Sequence, residues 1–179
     1  KGVSQVKTFV LAPMTDVQGD ALQNLNALKK LSNEIIEITN EHSWELHLKE
    51  LESSQVIIDA ILGIGKDQCL SSFYLKVVRD VNSFKKDVWA VDIPTGIHAD
   101  SGKIMGDAIR ASTTVTFGVP KLGMYLNPGK EYCGKIESCS ISIPSVLLNA
   151  EDLKHHLLDH ELIRGFLPKR FKDSHKGDY

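Results

Sequence analysis

A chain of 179 residues, 42% hydrophobic and 25% charged, has the composition of a globular domain with a substantial core. Its formal charge of −2 gives no electrostatic case for nucleic acid or an anionic membrane surface. No apolar run approaches the roughly 20 residues a transmembrane helix needs. Three cysteines, Cys69, Cys133 and Cys139, form no CxxC pair and read as reduced thiols of a cytoplasmic protein.

Val6–Leu11 reads as a buried strand closed by Ala12-Pro13. Asp16 is the expected N-cap of a helix running to Lys30, with Leu22, Leu25, Leu28 and Leu31 at helical spacing. Glu34–Ile38 is a second short strand, and Ser43–Glu52 an amphipathic helix with Trp44, Leu48 and Leu51 on one face. Val56–Leu62 is almost continuously apolar, the pattern of a strand covered on both faces. Ser71–Phe84 reads as a helix with Phe73, Val77, Val78 and Val81 inward. Three strands follow: Val88–Ile93, Thr113–Phe117, and the cleanly alternating Ile136–Ile143, which Pro144 ends near a sheet edge. Strands alternating with helices imply βαβ units, hence an α/β Rossmann-like three-layer sandwich with a mostly parallel sheet.

After about Ala150 the chain changes character. Asp152–Phe171 is a charged helical stretch ending in the basic turn Pro168-Lys169-Arg170, and reads as a linker. The opening Lys1-Gly2 and the abrupt stop at Tyr179 read as cuts through a longer polypeptide.

Two carboxylates stand out. Val88–Val91 delivers Asp92 to the end of a buried strand, and Pro94, Thr95 and Gly96 then turn the chain. Val56–Ile58 delivers Asp59 in the same way, ahead of Gly63-Ile64-Gly65. The carboxyl ends of parallel strands are where open α/β sheets bind ligands. Desolvation there is expected to raise the pKa of Asp92 and fit it for proton transfer near neutral pH. Either aspartate alone could simply cap its loop; two on neighbouring strands, each followed by a glycine turn, point to a site. Carboxylate, hydroxyl and carbonyl oxygens together suit a hard cation.

The loop Gly63–Lys66 is not a Walker A loop, because Ala60 replaces the first glycine and Asp67 the Ser or Thr after the lysine. Nor is it a dinucleotide fingerprint, since Gln68 replaces the third glycine. Lys121, in the loop after Thr113–Phe117, could reach a phosphate or simply be solvated. His42 and His47 read as solvated helix residues, and His98 lies at the site rim. There is no GxSxG elbow and no Cys–His pairing, so the residues favour acid–base or binding chemistry over nucleophilic hydrolysis.

Three ordered blocks, DAILGIGK (59–66), AVDIPTGIHADSG (90–102) and TVTFGVPKLG (114–123), resemble the YjeF N-terminal family, the NAD(P)H-hydrate epimerases. The likeness covers about residues 5–145 and includes Gly19-Asp20-Ala21 at the start of the first helix. It implies an enzyme that interconverts the R and S forms of hydrated NADH and NADPH (NADHX and NADPHX) with a potassium ion in its site. By position, the resemblance makes Asp59 and Thr95 potassium ligands, Thr95 standing where the family usually has serine. It makes Gly63, Ile64, Gly65, Lys66, Asp67, Gln68 and Cys69 the substrate loop, and Asp92 both a substrate contact and the acid–base group. The family's Asn/Gly-rich loop would precede Lys1.

The tail HKGDY (175–179) resembles the opening of a ribokinase-like domain, the ADP- or ATP-dependent NAD(P)H-hydrate dehydratase fused behind this one in many bacteria. The expected organisation is therefore an epimerase domain over 1–150, with 151–179 leading into a dehydratase domain of a bifunctional repair enzyme. The expected partner is the small-molecule substrate, with no nucleic acid and no membrane; a homo-oligomer is left open. The rival reading is a non-catalytic Rossmann-like binding or protein-interaction module, against which two strand-end aspartates argue.

Overall fold

The computed structural model describes residues 5–31, 34–65, 68–148, 150, 153–158 and 160–167. Six strands run in chain order: β1 Lys7–Val10, β2 Glu34–Glu37, β3 Val56–Asp59, β4 Asp87–Val91, β5 Thr113–Phe117 and β6 Lys135–Cys139. β1 and β2 pair as a two-stranded sheet, and β3-β4-β5-β6 form a four-stranded sheet in that order. Every pairing is parallel. The parallel α/β architecture read from the sequence is present, and β6 lies at the sheet edge as its alternation suggested.

The helices are α1 Gly19–Lys30, α2 Glu41–Glu45, α3 Leu48–Ser53, α4 Ser72–Ser83, α5 Ser145–Leu148 and α6 His160–Phe166. α4 buries Val77, Val78 and Val81, spaced to fall on one stripe, against the inward Ile57 of β3 and Val88 of β4. Ile38, Trp44 and Leu51 join the same core, with Phe9 and Ile36 from the smaller sheet packed on it. Trp44 satisfies its indole N–H by donating to Asp80 Oδ2 at 2.8 Å. A second core gathers Ile93, Ile97, Ala108, Met124 and Cys133 beneath the loops at the carboxyl ends of β4 and β5. Cys133 is buried, its thiol pushed up to about 11 by desolvation, whereas Cys69 and Cys139 are exposed.

Several boundaries differ from those read in the sequence. Asp16 does not cap α1: Met14–Asp16 forms a 3-10 turn after Pro13, and Gln18 takes the cap position. Of the α1 leucines only Leu25 is buried, while Leu31 is 70% exposed. Ser43–Glu52 is two helices. Asn40 and Ser43 close a capping box that starts α2 at Glu41, and the chain bends at Leu46–His47. His47 is half-buried rather than solvated, its ring edge-on to Phe9 at 5.6 Å between centroids. β3 stops at Asp59 because the carboxylate accepts from Ile61 N–H at 3.3 Å and turns the chain. β3 is also not covered on both faces: Val56 and Ile58 are exposed while Ile57 and Asp59 are buried.

The chain divides into two units, 1–141 and 142–179. The second contains α5 and α6; within the charged stretch expected to be helical, residues 153–158 are irregular and 160–166 helical. Asp152 and the turn Pro168–Arg170 lie outside the described residues. Among the described residues, no helix is long and apolar enough to cross a membrane.

Candidate functional site

Asp59 and Asp92 sit at the carboxyl ends of adjacent parallel strands, Asp59 as the last residue of β3 and Asp92 just beyond β4. Asp59 is 3% exposed. Its partner is Thr95, which donates its N–H to Oδ2 at 2.8 Å and its hydroxyl to Oδ1 at 2.7 Å. The same hydroxyl accepts from Leu62 N–H at 3.1 Å and faces Leu62 C=O at 3.4 Å. Burial pushes the Asp59 carboxyl above its ordinary range, and the hydrogen bonds from Thr95 and Ile61, which favour the ionised form, offset that only in part.

Thr95 reaches Asp59 because the chain turns sharply after Pro94. Gly96 has φ +98°, and a Cβ there would lie 2.1 Å from Asp107 C=O, so only glycine fits.

Asp92 takes a left-handed φ of +69°, uncommon for any residue but glycine. Backbone strain of this kind concentrates at functional sites. The conformation is held by Asp92 N–H donating to Val115 C=O at 2.8 Å. The side chain turns to the loop after β5. Its Oδ1 accepts from Phe117 N–H at 3.0 Å and Thr116 hydroxyl at 3.4 Å, and is ion-paired with Lys121 Nζ.

The expected upward shift of Asp92 is overturned here. Desolvation does push the carboxyl up, but the Lys121 hydrogen bond, the Phe117 amide and the Lys121 charge together outweigh it and hold Asp92 below its ordinary value. Asp92 is the carboxylate that its surroundings favour as an anion, and Asp59 the one that burial disfavours as an anion.

The substrate loop is only partly described. Gly63, Ile64, Gly65, Gln68 and Cys69 are exposed; Lys66 and Asp67 lie outside the described residues. An added Cβ at Gly63 or Gly65 would meet nothing within 4 Å, so the loop borders open space. Leu70 anchors its far end through an N–H···O bond of 3.0 Å to Met105. His98 turns inward on its own loop, Nδ1 lying 3.1 Å from Ser101 Oγ.

Around Asp59 the available donors are oxygens: its carboxylate, the Thr95 hydroxyl and the Leu62 carbonyl. That set fits a hard cation, which prefers oxygen ligands. Among the described residues, no group of three or more His, Cys, Asp or Glu comes together.

Sequence reasoning weighed Lys121 without placing it in the site, and passed over Thr116. The signal for Thr116 was there: in TTVTF, period two puts Thr114 and Thr116 on the same buried face, where a hydroxyl needs a partner.

The family model for the YjeF-related protein N-terminus matches residues 1–123. The chain belongs to this family. Curated relatives that it matches include proteins of two names. Proteins of Moorella thermoacetica and Thermofilum pendens, both named bifunctional NAD(P)H-hydrate repair enzyme Nnr, are 33% and 38% identical over 176 residues. Each match covers 98% of this chain and 33% of the relative. A Limosilactobacillus reuteri protein named NAD(P)H-hydrate epimerase is 43% identical over 89 residues, half of this chain and 42% of that protein. The chain thus spans about a third of the length of the first relatives. Among solved structures, that of yeast ynu0 superposes with a TM-score of 0.52 at 20% identity, over 70% of this chain and 49% of that one, a likeness of fold.

Proposed function

We propose that this chain is the epimerase part of an NAD(P)H-hydrate repair protein, interconverting the R and S forms of NADHX and NADPHX. The observation that carries the reading is the pair of strand-end aspartates in contrasting surroundings: Asp92 ion-paired with Lys121 and held below its ordinary value, and Asp59 buried and pushed above it. Membership of the YjeF-related family and relatives named for this activity support it.

In this reading Asp92 contacts the hydrated nicotinamide ring and moves the proton. Ionised at rest, it accepts the proton of the C6 hydroxyl as that oxygen forms a carbonyl and the C6–N1 bond breaks with its electron pair on the ring nitrogen, and it returns the proton to the oxygen when the nitrogen re-attacks C6 from either face. A carboxylate held low is a weak base, so positioning has to contribute much of the acceleration. Gly63–Cys69 would border the substrate, and the exposure of the described part of that loop is consistent with such a role.

Asp59 and Thr95 would hold a potassium ion with their oxygens. That ion would supply positive charge beside a carboxylate that burial otherwise disfavours as an anion. Thr95 keeps the hydroxyl such a site needs and adds a methyl group.

The longer protein would pair this domain, over about residues 1–150, with a dehydratase domain using ADP or ATP, as expected for a cytoplasmic repair enzyme. The relatives named bifunctional, about three times the length of the match, support that organisation.

The test is R-to-S conversion of NADPHX by this polypeptide in potassium chloride or choline chloride at equal ionic strength, against the spontaneous rate. Potassium-dependent acceleration that Asp92→Asn abolishes is expected. A folded chain, alone and within the longer protein, that never exceeds the spontaneous rate overturns the reading.

A further inference from the structure

The two oxygens of Asp92 have different surroundings. Oδ1 accepts from Phe117 N–H at 3.0 Å and Thr116 Oγ1 at 3.4 Å, and meets Lys121 Nζ. Among the described residues, none donates a hydrogen bond to Oδ2. A carboxylate tied by one oxygen keeps its other lone pairs for a ligand while losing the freedom to rotate.

Lys121 is itself fixed at both ends. Its backbone N–H points to Met124 Sδ at 3.3 Å, and Met124 is fully buried. Its ammonium group donates to Thr116 Oγ1 at 2.9 Å and Phe117 C=O at 3.2 Å besides Asp92. The loop bearing it docks at Gly123, whose N–H bonds to Ala99 C=O and where a Cβ would lie 2.3 Å from His98 C=O. All three donor groups of the ammonium thus have acceptors within the protein, which argues against a free phosphate-binding arm. The backbone of Asp92, at φ +69°, is oriented to meet them.

We propose that Lys121 is a positioning residue that clamps Asp92 through Oδ1, so that Oδ2 is the oxygen that meets the hydrated nicotinamide ring. The proposal rests on the epimerase reading above for its chemistry, but the clamp itself is a property of the fold. Thr116 and the Phe117 amide complete it, and Lys121 is the member that carries charge. Proton transfer is sensitive to placement, a displacement of about 1 Å being enough to lower a rate 100-fold. Releasing the clamp should therefore show in turnover rather than in affinity.

The experiment compares Lys121→Met and Lys121→Arg with the unsubstituted chain in NADPHX epimerisation. Lys121→Met should lower kcat by roughly 10- to 100-fold with KM within about twofold, and Lys121→Arg should restore most of it by keeping a charged donor. A raised KM with kcat intact would overturn the proposal and make Lys121 a substrate-binding residue. Unchanged kinetics in both variants would overturn it as well. A readout independent of turnover separates this from failure of the epimerase reading: the carboxyl carbon of Asp92, followed by NMR with labelled aspartate. Its signal should move and its titration midpoint rise in Lys121→Met, and both should return in Lys121→Arg. An unmoved signal overturns the clamp even if the chain epimerises; a moved signal with no epimerisation sinks only the enzymatic reading.

Discussion

Asp92 combines an uncommon backbone conformation with a charged partner, and the two features can be separated by substitution. Asparagine tolerates a positive φ about as well as aspartate, so Asp92→Asn should fold normally while epimerisation falls at least about 100-fold; retained activity would remove Asp92 from the chemistry. The same variant reports on linkage. Because the folded carboxyl is held below its unfolded value of 3.8, the folded state binds that proton more weakly than the unfolded one. The resulting stability is present above pH 3.8 and is lost as pH falls through the folded pKa. Melting temperatures from pH 6 down to pH 3 should therefore drop more steeply for the unsubstituted chain than for Asp92→Asn. At Thr95 the test is chemical. Thr95→Val deletes the hydroxyl that donates to Asp59 and accepts from Leu62, leaving the buried Asp59 carboxylate and the half-buried Leu62 N–H each a partner short and costing about 1–3 kcal/mol. Thr95→Ser keeps both bonds and should lose less, as denaturant unfolding would show. The two aspartates and Thr95 were legible from their strand-end spelling. The direction of the Asp92 shift was not, because it depends on a lysine 29 positions along the chain.

Elements set by local chemistry were legible, and those set by distant partners were less so. β5 spans Thr113–Phe117, the bounds read from the sequence, and α4 differs from its periodicity by a residue at each end. Between β2 and β3, by contrast, one amphipathic run became two helices. Trp44 is held by Asp80 of α4, and His47 packs on Phe9 of β1, so each half follows its own tertiary anchor. The shortening of β3 at Asp59 has the same origin, since the carboxylate that ends it is also the one Thr95 engages. The loop after β4 depends on glycine in a way that spelling suggested and geometry explains. Gly96→Ala would place a methyl group 2.1 Å from the Asp107 carbonyl at a φ of +98°. The strand-end turn must shift, and with it Thr95, which lies on the same turn. We expect a loss of more than about 2 kcal/mol in urea unfolding, and epimerisation reduced together with stability. A fully stable Gly96→Ala chain would mean that the turn is not as tight as this geometry requires.

At the scale of the molecule, the four-stranded sheet is asymmetric. One face carries Ile57, Asp59, Val88, Ala90, Thr114 and Thr116, all buried. The other carries Val56, Ile58, Trp89 and Phe117, each more than 40% exposed. The apolar run of β3 could not reveal this, because a strand covered on one face and a strand covered on both can be spelled with the same residues. Register decides which isoleucine matters: Ile57 pairs with Val88 on the core side, and Ile58 with Trp89 on the other. Two adjacent, chemically identical truncations should therefore differ. Ile57→Ala removes buried methyl groups from the core with Val77, Val78 and Val81 and should cost about 2–4 kcal/mol. Ile58→Ala, at a position 59% exposed, should cost under about 1 kcal/mol in the same chain. Chemical denaturation of both variants measures the difference. Equal losses would mean that Ile58 is buried in solution, by another segment or a second copy, and that the sheet face seen open here is closed in the working protein.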